Sequence, residues 1–520
     1  MFLVHAIGQT VLNLVQWADG KRADGTLKKK RLIVPGKKRL QKWRSTLFHL
    51  DTGHGEHTPD HAEGGPFDTT ASVSFSTDRD PEHLPPTTLW QRTTSTFLSF
   101  GRVLSSREST FGFRASCATL SIALIAFLEQ SRNFFLDQRL VWSLIMVAIG
   151  MTATAGRGVF GFISRIAGTC VATILCFVIW YIGNGEPAGV LVMMWLSICL
   201  TTYFLIKFPR YTIVLLLVIV TQVLVIGYEL QVQKLGAAAT EAVGQPAYPV
   251  YELAPFRLAC VVGGLSVAFF WTFFPYPLTS RSRVRRDVGH SLHLLANFYS
   301  IIHMTTSQRI RGREKDCTLA RTLEKERRSV YTRELTLLGA INQHIADTVW
   351  EPTFGGAFPR TTYKAITTQT SHILNYLSLI SFASNTFSSS ASDPSTSHSS
   401  NSAWQRDFQS LMANLSPTSQ SITTTLTLLA NAVTTGTPLP PDLQPPPHYS
   451  LLHRLEELDH KILGLEHVQE EGYAAFAVMQ IASSLVRDDL ARLIEQVREL
   501  VGEVDFRGSG RGSKRDKKER

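Results

Sequence analysis

Tyr211–Tyr228 reads YTIVLLLVIVTQVLVIGY, and this stretch decides the fold. Twelve of its residues are Ile, Leu or Val. Each favours insertion into a bilayer by roughly 0.3 to 0.6 kcal/mol, a sum that Gln222 and the two threonines do not reverse. Its length approaches the roughly 20 residues needed to cross a hydrocarbon core about 30 Å thick. Five more apolar stretches flank it: Phe111–Leu128, Leu140–Ala155, Ile166–Ile182, Ala188–Ile206 and Leu258–Phe274. Buried core helices of a soluble domain would need amphipathic partners to cover them, and residues 111–275 contain none. The reading is an all-α chain with a six-helix transmembrane domain over 111–275.

Flanking charge orients the spans. Counted from a cytosolic N-terminus, the inner flanks carry ten basic residues: Arg102, Arg107, Arg157, Arg165, Lys207, Arg210, Arg281, Arg283, Arg285 and Arg286. The outer flanks carry four, Arg132, Arg139, Lys234 and Arg257. The excess places both termini in the cytosol. Trp142, Trp180, Tyr181, Tyr228 and Trp271 fall near segment ends, where amphipathic rings favour the interface.

Outside the spans the chain is polar and its net charge of +10 is uneven. Residues 1–110 are expected to be a cytosolic segment, opening on an apolar stretch (1–17) that fits an interfacial helix, and loosely ordered over the Gly- and Pro-rich part 51–89. Residues 281–506 show amphipathic helices. Val288, Leu292, Leu295, Phe298 and Ile302 recur at spacings of three or four, as do Leu451 to Leu465 and Val486 to Leu500. One apolar stripe per helix predicts a cytosolic antiparallel bundle with coiled-coil-like seams, broken by the Ser-rich loop 386–402. The tail 507–520 carries seven basic residues against Asp516 and Glu519. Its Lys517 and Lys518 have the spacing of a dilysine retrieval signal of the endoplasmic reticulum.

Basic clusters beside spans point to anionic lipid as the partner, and no groove-reading motif supports nucleic acid. Five of six cysteines lie in apolar runs without metal-ligand spacing. His54, His57 and His61 sit among acids in a Gly-rich stretch that lacks a preorganised metal site. Gly156-Arg157-Gly158-Val159-Phe160-Gly161 matches a dinucleotide fingerprint, but it follows a membrane segment instead of a strand. It reads as a tight turn with close helix packing. The sequence thus offers no cofactor, metal or catalytic constellation, and an enzyme is not expected.

Two short patterns suggest a transport site. Arg165, Gly168 and Thr169 open the third span, and Arg257, Gly263 and Gly264 open the sixth. A basic residue followed by small ones at both places is what an inverted repeat of three plus three helices leaves. The glycines let neighbouring helices approach, and Thr169 can hydrogen-bond across such a contact. Arg114, just inside the first span, completes the set of candidate anion contacts.

These residues also carry a family resemblance. Ser109–Arg114, Trp142 with Ile145–Met151, Arg165–Thr169 and Phe274–Pro277 resemble the fusaric-acid-resistance-like, or aromatic acid exporter, superfamily. Arg285–Gly289, Leu294–Ser300, Trp350–Pro352, Gly472–Val478 and Leu500–Phe506 resemble the domain that follows the membrane helices in its fungal, brefeldin A sensitivity-related branch of endoplasmic reticulum transporter-like proteins. The resemblance implies transport of organic anions, aromatic acids among them, across an intracellular or plasma membrane. It also implies a second six-helix half, so either a second copy of this chain or a partner half-transporter is expected, or a longer chain of which this sequence is part. The alternative is a membrane-anchored scaffold acting through its cytosolic helices.

Overall fold

The computed structural model describes residues 2–23, 107–152, 154–208, 211–236, 248–274, 279–310, 317–351, 356–387, 403–414, 420–445 and 470–504, with a few isolated positions beside them. The histidine trio, most of the Ser-rich loop, the Leu451–Leu465 stripe and the dilysine pair lie outside these residues. The described residues are helical and form no strand. One isolated bridge pairs Leu439 with Glu503.

The described chain forms two compact units. One comprises Asp78–Arg285 and Ile341–Arg360, so a short segment from far along the chain belongs with the apolar helices. Its helices are α2 (Arg107–Phe127), α3 (Glu129–Asp137), α4 (Val141–Gly150), α5 (Ala155–Ile182), α6 (Pro187–Lys207), α7 (Thr212–Leu235) and α8 (Val250–Phe273); α1 (Phe2–Ala23) belongs to the other unit.

Five helices of this unit are long and apolar enough to cross a membrane: α2 from Ser109, α5, α6, α7 and α8 from Tyr251. The second expected span, Leu140–Ala155, is corrected: it is not one continuous helix. Its helix, α4, has only 10 residues, about 15 Å, because the run Leu140–Ala155 is broken after Gly150. Met151 and Thr154 take extended backbone angles, and the Thr152 hydroxyl donates to the Thr154 carbonyl at 3.1 Å, a local bond that competes with helix.

Helix α5 pairs with α7 and α8, α4 packs on α8 and α2, and α6 leans on α7. Buried side chains fall into apolar clusters between these helices, such as Met146, Leu217, Val261 and Leu265. Large apolar side chains on the outer faces, including Leu124, Ile174, Val192, Trp195, Leu200 and Val220, are exposed. That inversion is stable only against lipid, because in hydrocarbon the backbone is satisfied within each helix and the outer side chains need no cover. Polar bonds tie the bundle: Ser197 donates to Gln222 Oε1 at 3.1 Å between α6 and α7, and the Trp271 indole donates to Ser121 at 3.0 Å between α8 and α2.

The other unit comprises Met1–Thr77, Arg286–Ala340 and Thr361–Arg520. Its helices are α1, most of α9 (Ser280–Ile310) and of α10 (Cys317–Asp347), α11 (Arg360–Ala383), α12 (Ala403–Asn414), α13 (Gln420–Thr435) and α14 (Glu471–Val501). The stripes read from the sequence form its core. Val288, Leu292, Leu295, Phe298 and Ile302 on α9 are buried, as are Val486, Leu490, Leu493 and Val497 on α14. Trp404 stacks on Phe408 at 4.8 Å, and Phe408 meets Phe476 edge-on at 4.9 Å, which pins α12 to α14.

Candidate functional site

The helix starts differ from those expected, and the difference moves both site arginines. Helix α5 begins at Ala155, so Arg165 lies ten residues inside it, about 15 Å from its start. The glycine fingerprint forms the first turns of α5 and is not a separate turn. Its close packing is real: a Cβ on Gly156 would lie 2.5 Å from the Asp347 carbonyl oxygen, and one on Gly161 would lie 3.1 Å from Arg165 Nη1.

Arg165 is only 6% exposed, and its partner is the broken helix. Nη1 donates to the Gly150 carbonyl at 3.3 Å, and Nη2 to the Ile149 carbonyl at 3.0 Å. These are the C-terminal carbonyls of α4, which the break leaves without intrahelical donors and which form the negative end of the helix dipole. Arg165 therefore caps α4 and is not open to an entering anion. Thr169 donates to the Arg165 carbonyl in its own helix at 2.9 Å instead of across to a neighbour. Gly168 is where α7 comes closest, since a Cβ there would lie 2.7 Å from Val214 Cγ1.

Arg257 lies at the opposite end of α4. Helix α8 begins at Val250, so this arginine is also inside its helix, 8% exposed. Its guanidinium carbon stands 3.9 Å above the Trp142 ring, in the first turn of α4, and its Nε and Nη1 are buried without a hydrogen-bond partner. Gly264 permits the approach of α8 to α4: a Cβ there would lie 2.5 Å from the Ser143 carbonyl oxygen. Gly263 faces open space but for Ser143 Oγ at 3.9 Å. Of the two, Gly264 acts in packing. Gly264→Ala should lower stability by about 1–3 kcal/mol through overpacking against backbone, whereas Gly263→Ala should stay within about 0.5 kcal/mol. Thermal unfolding of the two purified variants in one detergent reads the contrast; equal melting temperatures would remove the close approach.

Arg257 lines a narrow cavity of about 30 Å³ with Arg139, Trp142, Tyr228, Tyr248 and Phe256. Arg139, in the turn between α3 and α4, holds a φ of 50° and stacks 4.5 Å above the Tyr228 ring. A left-handed angle in a residue other than glycine costs about 1–3 kcal/mol and here aims a second guanidinium at the same space. Among the described residues Asp137 is the only acid on the wall. Two guanidinium groups, each laid on an aromatic face and opposed by one carboxylate, give the cavity a net positive charge within an aromatic lining. Sequence reasoning counted Arg139 only toward topology and missed Tyr248 and Phe256. Arg114 is buried on α2 and does not line the cavity. Among the described residues no group of three His, Cys, Asp or Glu is placed to hold a metal.

Glu351 is the other polar centre, and sequence reasoning gave it no role. Its side chain is 2% exposed. The carboxylate accepts from the Gly156 amide at 3.2 Å, from the Ser280 amide, and from the Arg281 amide at 3.4 Å, with Arg281 Nε at 3.6 Å. One side chain therefore caps the starts of α5 and α9 together.

Comparison with known proteins agrees with this architecture. A sequence model described as Fusaric acid resistance protein-like matches residues 107–271, and one described as Brefeldin A-sensitivity protein 4-like domain matches residues 279–505. An uncharacterized protein of Schizosaccharomyces pombe is 22% identical over 342 residues, which are 63% of this chain and 24% of that protein. The chain thus spans about a quarter of the length of the curated relative it matches. The chain is thus similar over its apolar spans to the fusaric acid resistance-like proteins, and over the helices after them to the brefeldin A-sensitivity domain, the two matches lying in tandem.

Proposed function

We propose that this protein transports organic anions, and that a carboxylate attached to a planar ring docks in the cavity at the Trp142 end of α4. The single observation that carries this reading is the buried Arg257 guanidinium, with Nε and Nη1 unpartnered beside an aromatic lining. A buried guanidinium costs several kcal/mol unless a carboxylate meets it, and the two are matched in shape for a bidentate pair. The space free inside it is about 30 Å³, far below the roughly 300–1,000 Å³ of open small-molecule sites, so its aromatic walls must part to admit the ring. Tyr228, Tyr248 and Phe256 would flank the ring while Arg139 adds the second charge. On the orientation read from flanking charge, with the broken run Leu140–Ala155 still making a crossing, the cavity opens toward the far side of the membrane, which on the dilysine reading is the lumen of the endoplasmic reticulum.

The test is flux in proteoliposomes loaded with benzoate, salicylate or acetate, with and without a proton gradient. Saturable release of the two aromatic acids above protein-free vesicles, with acetate slower, is the expected result. Release at the protein-free rate for all three would sink the transport reading and leave a membrane-anchored scaffold in its place.

A further inference from the structure

We propose that Glu351 is a positioning residue: the turn Asp347–Glu351 clamps the starts of α5 and α9, and through α5 it sets Arg165 against the end of α4. The proposal lengthens the transport reading, because α4 carries Trp142 and the cavity at its other end. Three independent features of the apolar unit support it. First, the Glu351 carboxylate takes the amide hydrogens of Gly156, Ser280 and Arg281, donors that no helix can satisfy within itself. Second, the turn comes so close to α5 that a Cβ on Gly156 would lie 2.5 Å from the Asp347 carbonyl and 3.0 Å from Glu351 Cγ, so glycine is what lets it seat. Third, Trp350 meets Phe160 at 5.2 Å and Phe160 meets Tyr211 at 6.2 Å, which ties the same turn to α5 and to the residue that opens α7.

The clamp is anchored on its own side. The Arg360 guanidinium donates to the Thr348 carbonyl at 2.9 Å, and the Arg281 guanidinium to the Glu351 carbonyl at 3.5 Å. From Gly156 to Arg165 is nine residues of continuous helix, about 14 Å, so a shift at the start of α5 is carried to the arginine without a hinge. Arg165 in turn holds the Ile149 and Gly150 carbonyls. A segment that lies 195 residues from Gly156 in sequence thus fixes the helix that supports the cavity.

The experiment compares the full chain with Glu351→Ala, Glu351→Gln and Gly156→Ala in lipid nanodiscs, by amide hydrogen exchange, and in proteoliposomes, by benzoate efflux. Glu351→Ala should exchange at least tenfold faster in fragments covering 152–158 and 279–283, with α6 and α7 unchanged. Glu351→Gln, which keeps an acceptor oxygen, should fall between it and the parent and preserve the fold if the alanine variant fails. Gly156→Ala should open the same fragments without touching a charge. Maximal efflux should drop at least tenfold in Glu351→Ala with KM within twofold, since the cavity is intact, and recover in part in Glu351→Gln. Unchanged exchange at those fragments, or a rise spread evenly over the unit, overturns the clamp. Local opening with undiminished efflux overturns the positioning role. A parent chain that moves no carboxylate removes the transport reading, and the exchange pattern still decides the clamp.

Discussion

Arg257→Met is expected to abolish carboxylate flux while leaving the folded protein as stable as the parent or more so. Two terms set the sign of each effect. The lost carboxylate–guanidinium pair is charge-assisted and desolvated, worth about 2–4 kcal/mol, which corresponds to about 30- to 1,000-fold in binding. For stability, methionine gives up the stack on Trp142, roughly 0.5–2 kcal/mol, and relieves a buried charge whose Nε and Nη1 have no partner, a penalty of similar or greater size. Arg257→Lys keeps the charge but not the planar fork, so it should retain only a small fraction of flux. Arg165→Met should behave in the opposite way. It exposes the Ile149 and Gly150 carbonyls at the end of α4, so stability and flux should fall together. Melting temperature and benzoate efflux on both variants separate the roles. Normal flux in Arg257→Met would exclude the cavity from the path, and an unshifted melting temperature in Arg165→Met would exclude the cap.

The two arginines also mark how far the sequence could be read. Apolar runs are a compositional property, so the membrane helices were legible one by one. Their ends were not, because a helix continues while its amides find carbonyls, whatever the hydropathy. Helix α5 therefore reaches back to Ala155 and α8 to Val250, and arginines that a hydropathy window puts at the membrane edge lie inside helices. The stripes of α9 and α14 were legible because a period near 3.6 survives in any helical packing. The cavity was not, because Arg139, Tyr228 and Tyr248 meet only after α3, α7 and α8 converge on α4. Glu351 ends a short turn after α10. Its role depends on amides 195 and 71 residues away, and no local pattern encodes them.

Glu334→Gln should raise the stability of the second unit at pH 8.5 and change it little at pH 5. Glu334 on α10 is fully buried, and burial pushes its carboxyl up to about 8, partly offset by the Ser291 hydroxyl, which donates to Oε1. Oε2 has no hydrogen-bond partner. An unfolded glutamate titrates near 4.3, so between about 4.3 and 8 the folded chain holds a proton that the unfolded chain has lost. The contribution is therefore full below about pH 4.3 and is lost progressively as pH rises from there through about 8, a total of about 5 kcal/mol. Glutamine stands in for the protonated acid and removes the dependence. His290 and His344 work the other way, since burial lowers both, His344 to about 4, and stability from them is gained as pH rises toward 6.5. Subtracting parent from variant cancels both histidines. The expected difference in melting temperature is on the order of 10 °C at pH 8.5 and below about 2 °C at pH 5. A variant that melts with the parent at pH 8.5 would mean that Glu334 is ionised at no cost, and that the Ser291 pair is solvated in solution.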